Sequence, residues 1–443
     1  MSESITDIAS RLSKRVDESQ WRAGEFISRY NGDSPLSFLS PEAQTALGGR
    51  LKRVSANYCK LAVDELAQRM RIVGLAVGGQ ADGDLWASWR RSGMVAGAGH
   101  VTKAALITGR SAVTVWSNDG STPVVRPESA LQCAWTLDPL SGAATEAMKR
   151  WRDAATGTIR AALYLPDRTV LIQSKSHVPE QGFVPPDGWN VTGEIPNPLG
   201  VPLLVPITNA QTIETAVWGD SEMAPLMTAN DLLEKFLTDA AVNSETFSRP
   251  QRVISGLEEL PTDADGNVIN PFSSELKTWI MTEQDVKAVQ LPSDFGSYDR
   301  LIPLVLKVIA ALSGLPASVV GLSTDNPTSA DAIAASGLVL TSRAEDRALV
   351  HDPGWSTALA LQVALRDGGD PRKVDASVIR SDPRYSSEAA EADAVSKLVG
   401  TGLLSKSAAL RKLGYSPDEI SQIERDTARE SAMRSLTATG DAA

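Results

Sequence analysis

The spacing of apolar residues changes period several times along the chain. Up to about residue 70 it is helical, with Leu47, Leu51, Val54, Tyr58, Leu61, Val63, Leu66 and Met70 recurring on one face. Ser40-Pro41-Glu42 reads as a helix start and Tyr30-Asn31-Gly32-Asp33 as a turn. From about 71 to 210 short β-type runs take over. Residues 104–108 and 111–116 flank Gly109-Arg110, and 160–165 and 169–172 flank Pro166-Asp167-Arg168, which predicts two hairpins. A short helix is expected over 141–155, a loop over 178–202 and a strand at 203–207. This region is expected to be an α+β domain.

A long helix is expected over 220–248, ~45 Å at ~1.5 Å per residue. Its apolar positions include Met223, Leu226, Leu233, Phe236 and Leu237. Asp220, Glu222, Asp231, Glu234, Asp239 and Glu245 oppose a single Lys235. Such a set makes a solvated face or, being so one-sided, a specific surface such as a channel wall. Residues 250–292 read as a small β-rich insert, with strands at 252–256, 277–281 and 286–291. The longest apolar run follows at 301–322, LIPLVLKVIAALSGLPASVVGL. It predicts a helix over 298–313, in which Pro303 is tolerable in the first turn or as a kink. Thr328 with Asp331 is a capping-box-like start for a helix that reaches His351 and stops at Asp352-Pro353-Gly354, with another over 355–365. Three short helices close the chain, starting at Ser387, Ser405 and Ser416-Pro417-Asp418-Glu419. The tail from Ser435 is expected to be disordered.

Composition narrows the function. The chain has 443 residues, 42% of them hydrophobic and 22% charged, which suits a globular protein of two or three domains. Its net charge of −11 offers little counterion release on a polyanion. Static gripping of DNA is therefore not expected, whereas sliding contact stays open. Cys59 and Cys133 are too few for a disulfide framework and are read as buried small hydrophobes of a reducing compartment. The N-terminal stretch has no apolar core of a signal peptide. The run 301–322 reaches the ~20 residues of a membrane span. Lys307 and the helix stop at Gly314-Leu315-Pro316 argue against one, leaving roughly thirteen residues ahead of the stop. Buried instead, the run would be a domain core or a subunit interface.

Catalytic signatures do not emerge. His100, His177 and His351 have no HxH or HExxH partner, and neither a GxSxG elbow nor a P-loop occurs. The Gly-rich stretch 93–99 reads as a flexible connection. The segment 263–269 resembles a calcium loop, but positions one and twelve fall on Pro261 and Phe272, which supply no side-chain oxygen. Asn190-Val191-Thr192 is a glycosylation sequon only on paper. No cofactor, metal or enzymatic activity is expected. Two rivals remain: a membrane pore using 301–322, and an enzyme with an unrecognised site in 71–210.

The order of elements, and several short stretches, resemble the portal protein family of tailed, siphovirus-type bacteriophages. The stretches are Trp218-Gly219-Asp220-Ser221-Glu222-Met223-Ala224-Pro225-Leu226, Ser248-Arg249-Pro250-Gln251-Arg252-Val253, Ser313-Gly314-Leu315-Pro316, and Asn326-Pro327-Thr328-Ser329-Ala330-Asp331-Ala332-Ile333. The last matches the family's NPxSAxAI habit. The resemblance spans about residues 20–430. It implies an α+β portal fold: a wing over 1–215, stem helices over 216–249 and 297–314, and a β-containing clip over 250–296. A tunnel loop over 315–328, a long helix returning to the wing over 329–380, and a crown of helices with a flexible tail over 381–443 complete it. It also implies a ring of twelve copies at a capsid vertex, assembled in the host cytoplasm, with double-stranded DNA passing through. Its partners would be the major capsid protein, the terminase large subunit and a head-to-tail adaptor, with no membrane. On that reading Glu234, Asp239, Lys307, Ser323, Thr324, Asp325, Asn326 and Thr328 face the channel. Asp263, Asp265, Asn267, Asn270 and Phe272 face the terminase or adaptor. A plainer role for Lys307 lays its stem on apolar surface with the ammonium in solvent.

Overall fold

The structure is a computed structural model that describes residues 3–33, 56–117, 122–179, 182–185, 187–247, 252–255, 264, 278–281, 296–322, 336–384, 388–415 and 417–440. In chain order its helices are α1 (Ile5–Asn31), α2 (Tyr58–Arg69), α3 (Gly83–Arg91), α4 (Met94–Thr108), α5 (Ala224–Phe247), α6 (Gly296–Ser313), α7 (Leu338–Asp367), α8 (Glu388–Gly400), α9 (Lys406–Lys412) and α10 (Pro417–Gly440). The strands are β1 (Ile72–Val77), β2 (Gln80–Ala81), β3 (Arg110–Ser117), β4 (Pro123–Glu128), β5 (Cys133–Leu137), β6 (Ala144–Arg152), β7 (Ile159–Tyr164), β8 (Arg168–Ser174), β9 (Trp189–Pro196), β10 (Leu204–Thr208), β11 (Arg252–Ser255), β12 (Thr278–Met281) and β13 (Ala376–Arg380).

Three of the sheets are packed against helices by their apolar faces. β5 to β9 form an antiparallel meander in sequence order. On it lie Ala9, Leu12 and Val16 of α1, packed with Met148, Leu163, Val170 and Trp189. The Ser4 hydroxyl caps α1 by accepting from the Asp7 amide. A second sheet, β10-β3-β4, and a third, β13-β1-β2, share a core with α3, α4 and the C-terminal half of α7. There Trp89 meets Trp355 edge-to-face, with centroids 5.6 Å apart. A further core joins α2 to Leu106, Met223, Leu226, Leu315, Val320 and Leu340. β11 pairs in parallel with β12. The molecule is thus a mixed α and β fold, as expected.

Six expectations are corrected. Residues 104–108 are not a strand but the last turns of α4, and the Gly-rich stretch 93–99 is its start and not a loose connection. Gly97 belongs in that helix because an added methyl would come within 3.0 Å of Pro127 on β4. The segment 141–155 holds β6, since pairing on both sides with β5 and β7 outweighs its helix-forming composition. The loop at 178–202 contains β9, the fifth meander strand. Asp352-Pro353-Gly354 does not stop a helix, because Pro353 lies inside α7. Its ring is on the exposed side, while Trp355, Ala358 and Leu359 hold the helix down. Gly354 lets it lie against β10, where any side chain would meet the Pro206 carbonyl. Finally, the helix at the C-terminus continues past Ser435 to Gly440. Pro303, likewise, is inside α6 and beyond its first turn. The helix starts expected at Ser40 and Thr328, and the strand at 286–291, lie outside the described residues.

His351 is fully buried on α7, and neither ring nitrogen has a hydrogen-bond partner among the described residues. Burial, with Arg380 and Arg347 nearby, pushes its pKa down to about 3. Arg380 is itself paired with Asp352 at 2.5 Å. The folded imidazole therefore stays neutral where an unfolded one, with a pKa of ~6.5, takes up a proton. Its cost to stability is absent above that value and grows as the pH falls toward the folded pKa. Relative to His351→Leu, wild-type unfolding free energy should fall by about 2 kcal/mol between pH 7 and pH 5. Urea titrations at both pH values check this; a constant gap between the two proteins would refute it.

Candidate functional site

The segment that carries α5 into the fold begins at a backbone crossing. Gly109 closes α4 with φ of 86°, and Gly219 sits against it with φ of 68°. Asn209 joins the two, its amide donating to the Gly109 carbonyl at 2.7 Å and its side chain to the Asp220 carbonyl at 2.7 Å. Trp218 beside this crossing has two guanidinium groups over its ring, Arg22 at 4.6 Å and Arg110 at 4.3 Å from the centroid. Arg110 also lies 4.5 Å from the Trp135 centroid. Burial depresses the Arg110 pKa to about 10, and the two indole faces offset part of the desolvation.

The acids expected on one open face are instead mostly engaged. Glu222 is buried and takes hydrogen bonds from Arg347 at 2.5 Å and from the Asn209 and Gln211 amides at 2.9 Å each, with Arg343 at 3.7 Å. Asp220 accepts from Thr215 at 2.6 Å, and Asp231 is paired with Arg29. Glu234 is buried beside Asn230, whose amide donates to it at 3.1 Å. Asp239 is half-buried and bridged to Lys235 at 2.6 Å. The expected solvated face is thus largely paired, with Asp231, Asp239 and Glu222 each meeting a cation. Its partners Arg29, Arg343 and Arg347 come from α1 and α7, far away in sequence, and a charge count along one helix cannot see them.

α5 and α6 pack side by side. Leu233, Val305 and Ile309 form the seam, with Ala229, Phe236, Leu237, Ile302 and Leu306 around it. At the end of α6, Arg343 donates to the Leu312 carbonyl at 2.6 Å. A face of α6 adjoining this seam is uncovered. Leu301, Leu304, Val308 and Leu312 are 37%, 57%, 44% and 39% exposed, and their spacing places them in one stripe. Arg300 and Lys307 flank it, both exposed and without an ion-pair partner among the described residues. Ser323, Thr324, Asp325, Asn326 and Thr328 lie outside the described residues, as do Asp263, Asp265, Asn267, Asn270 and Phe272. Of the expected channel residues only Glu234, Asp239 and Lys307 are among those described, no ion pair among the described residues joins the two acids to the lysine, and of the three only Lys307 is exposed.

The 71–210 region holds a cavity of about 780 Å³ between two sheets, lined by Trp116, Trp151, Tyr164, Leu171 and Ile195 among others. Its one carboxylate, Glu128, is tied to Lys149 at 2.7 Å and accepts from Thr114 at 2.9 Å, and no histidine lines the cavity. Cys59 and Cys133 are buried free thiols, and burial raises the pKa of both. Among the described residues no helix is long and apolar enough to cross a membrane.

The α5–α6 pair is thus sealed along its seam and leaves an apolar stripe of α6 uncovered. The family model described as phage portal protein, SPP1 Gp6-like, matches residues 10–433, and the chain belongs to that family, whose members are structural and non-enzymatic phage components. The portal proteins of Mycobacterium phages L5 and D29 are each 28% identical over 400 residues, covering 85% of this chain and 79% of theirs. Among solved structures, a chain of the virion of a native gene transfer agent particle aligns with a TM-score of 0.46 at 14% identity, covering 85% of this chain and 94% of that one. A chain from the neck of an empty particle of the same kind aligns at 0.45 and 14%, covering 85% and 95%.

Proposed function

We propose that the chain closes with copies of itself, twelve in the capsid, into a ring at one vertex, through which double-stranded DNA enters and leaves. The single observation that carries this reading beyond family membership is the uncovered apolar stripe of α6. A monomer rarely leaves such a row in water, and a rotationally closed assembly hides it on every copy at once. On this reading residues 1–215 are the wing, α5 and α6 the stem, and 250–296 the clip that meets the terminase and then the adaptor. Residues 315–328 form the tunnel loop, with Ser323, Thr324, Asp325, Asn326 and Thr328 brushing DNA without holding it. The 381–443 helices form the crown, and the major capsid protein surrounds the ring. Neutralised acids on α5 suit a wall that neither attracts nor strongly repels phosphates, and an overall charge of −11 opposes static binding.

Negative-stain images of the purified full chain test it. Ring-shaped particles with a central opening are the expected result. Isolated single chains, or a protein that stays in detergent or lipid, would overturn it.

A further inference from the structure

The second uncovered helix face belongs to α7. Leu338, Ser342, Glu345, Asp346 and Leu349 fall on one side of its N-terminal half and are all exposed, the leucines by 61% and 71%. The opposite side, with Leu340 and Ala344, is buried against the α2 core. Glu345 and Asp346 have no ion-pair partner among the described residues, in contrast to Asp231 and Asp239 of α5. The α6 stripe therefore combines exposed leucines with two spare cations, and the α7 face combines exposed leucines with two spare carboxylates. A ring closes through two different patches on each copy, and these two match in polarity and charge.

We infer that the α6 stripe of one copy, Leu301-Leu304-Val308-Leu312 with Arg300 and Lys307, seats on the α7 face, Leu338-Ser342-Leu349 with Glu345 and Asp346, of the next. This rests on the ring reading and names its contact. It also assigns the Lys307 ammonium to a neighbouring carboxylate and away from the DNA path. Leucines in the middle exclude water, while the charges at the edge set register and reject a neighbour in the wrong orientation.

Charge reversal on each side tests the pairing. Arg300→Glu/Lys307→Glu gives a chain with acid on both patches, and Glu345→Lys/Asp346→Lys gives one with base on both. Each alone should lose rings in native mass spectrometry, leaving single chains with unchanged far-UV circular dichroism. An equimolar mixture should regain rings, because alternation restores opposite charges at every contact, and those rings should contain even numbers with the two variants in equal share. The milder pair Lys307→Glu and Asp346→Lys repeats the test if a double variant does not fold. Rings from either variant alone, or no recovery on mixing, would overturn this contact while leaving the ring reading intact. A wild-type chain that forms no rings overturns both.

Discussion

Replacing Glu222 with alanine should destabilise the protein by about 3–5 kcal/mol, the range for removing one partner of a buried ion pair. The side chain of Glu222 is only 4% exposed, and that of Arg347 14%. Without the carboxylate, the Arg347 guanidinium keeps its desolvation and loses the charge that balances it. The Asn209 and Gln211 amides lose their acceptor at the same time. Glu222→Gln keeps an acceptor oxygen without the charge and should fall between wild type and alanine. Chemical denaturation of the three proteins checks the order. In a double-mutant cycle, Glu222→Ala and Arg347→Ala should cost much less together than the sum of the two, because the second change removes the stranded charge. A loss under about 1 kcal/mol for Glu222→Ala would show that the pair contributes little net stability. The effect reaches function through position: Glu222 immediately precedes α5 and fixes it to α7, so its loss loosens the two helices that carry the faces assigned to the ring contact.

What the sequence revealed follows from where the information lies. The 160–174 hairpin, the 204–208 strand, the long helix before 248, the apolar helix ending at Ser313 and the start at Ser405 are local patterns, and each appears close to the expected place. Misreadings came where tertiary contact outweighed local pattern. β6 has the composition of a helix and is held as a strand by two neighbours. Pro353-Gly354 carries a stop signal, but the buried Trp355 and a close approach to Pro206 carry the helix through it. The site was legible only in outline. The apolar stripe of α6 and the oddity of Lys307 are visible in the run 301–322, whereas the pairing of Asp231 with Arg29 spans 202 residues and that of Glu222 with Arg347 spans 125. No spacing rule reaches that far. The one available signal was the single lysine against six acids over 220–248, of which Asp231 and Glu222 are met by arginines from α1 and α7.

Gly219→Ala is expected to cost about 3 kcal/mol or more, because its added methyl would make the closest approach among the described glycines. Two penalties coincide there. The backbone sits at φ of 68°, a region that costs an L-residue about 1–2 kcal/mol. The added methyl would in addition overlap the Gly109 carbonyl, an oxygen that already accepts from the Asn209 amide at 2.7 Å. Backbone on both sides leaves nothing flexible to swing away, so the crossing must open. Gly78→Ala separates the two penalties, since Gly78 has φ of 57° with no atom within 4 Å of an added methyl. It should lose only the conformational part, about 1–2 kcal/mol. Thermal unfolding of both variants beside wild type measures the difference, and equal losses would show that the close approach carries no cost. Opening the crossing also separates Trp218 from the Arg110 guanidinium that lies 4.3 Å from its ring centroid. Trp218 fluorescence should therefore shift to longer wavelength in Gly219→Ala even below the unfolding transition, while Gly78→Ala keeps the wild-type spectrum.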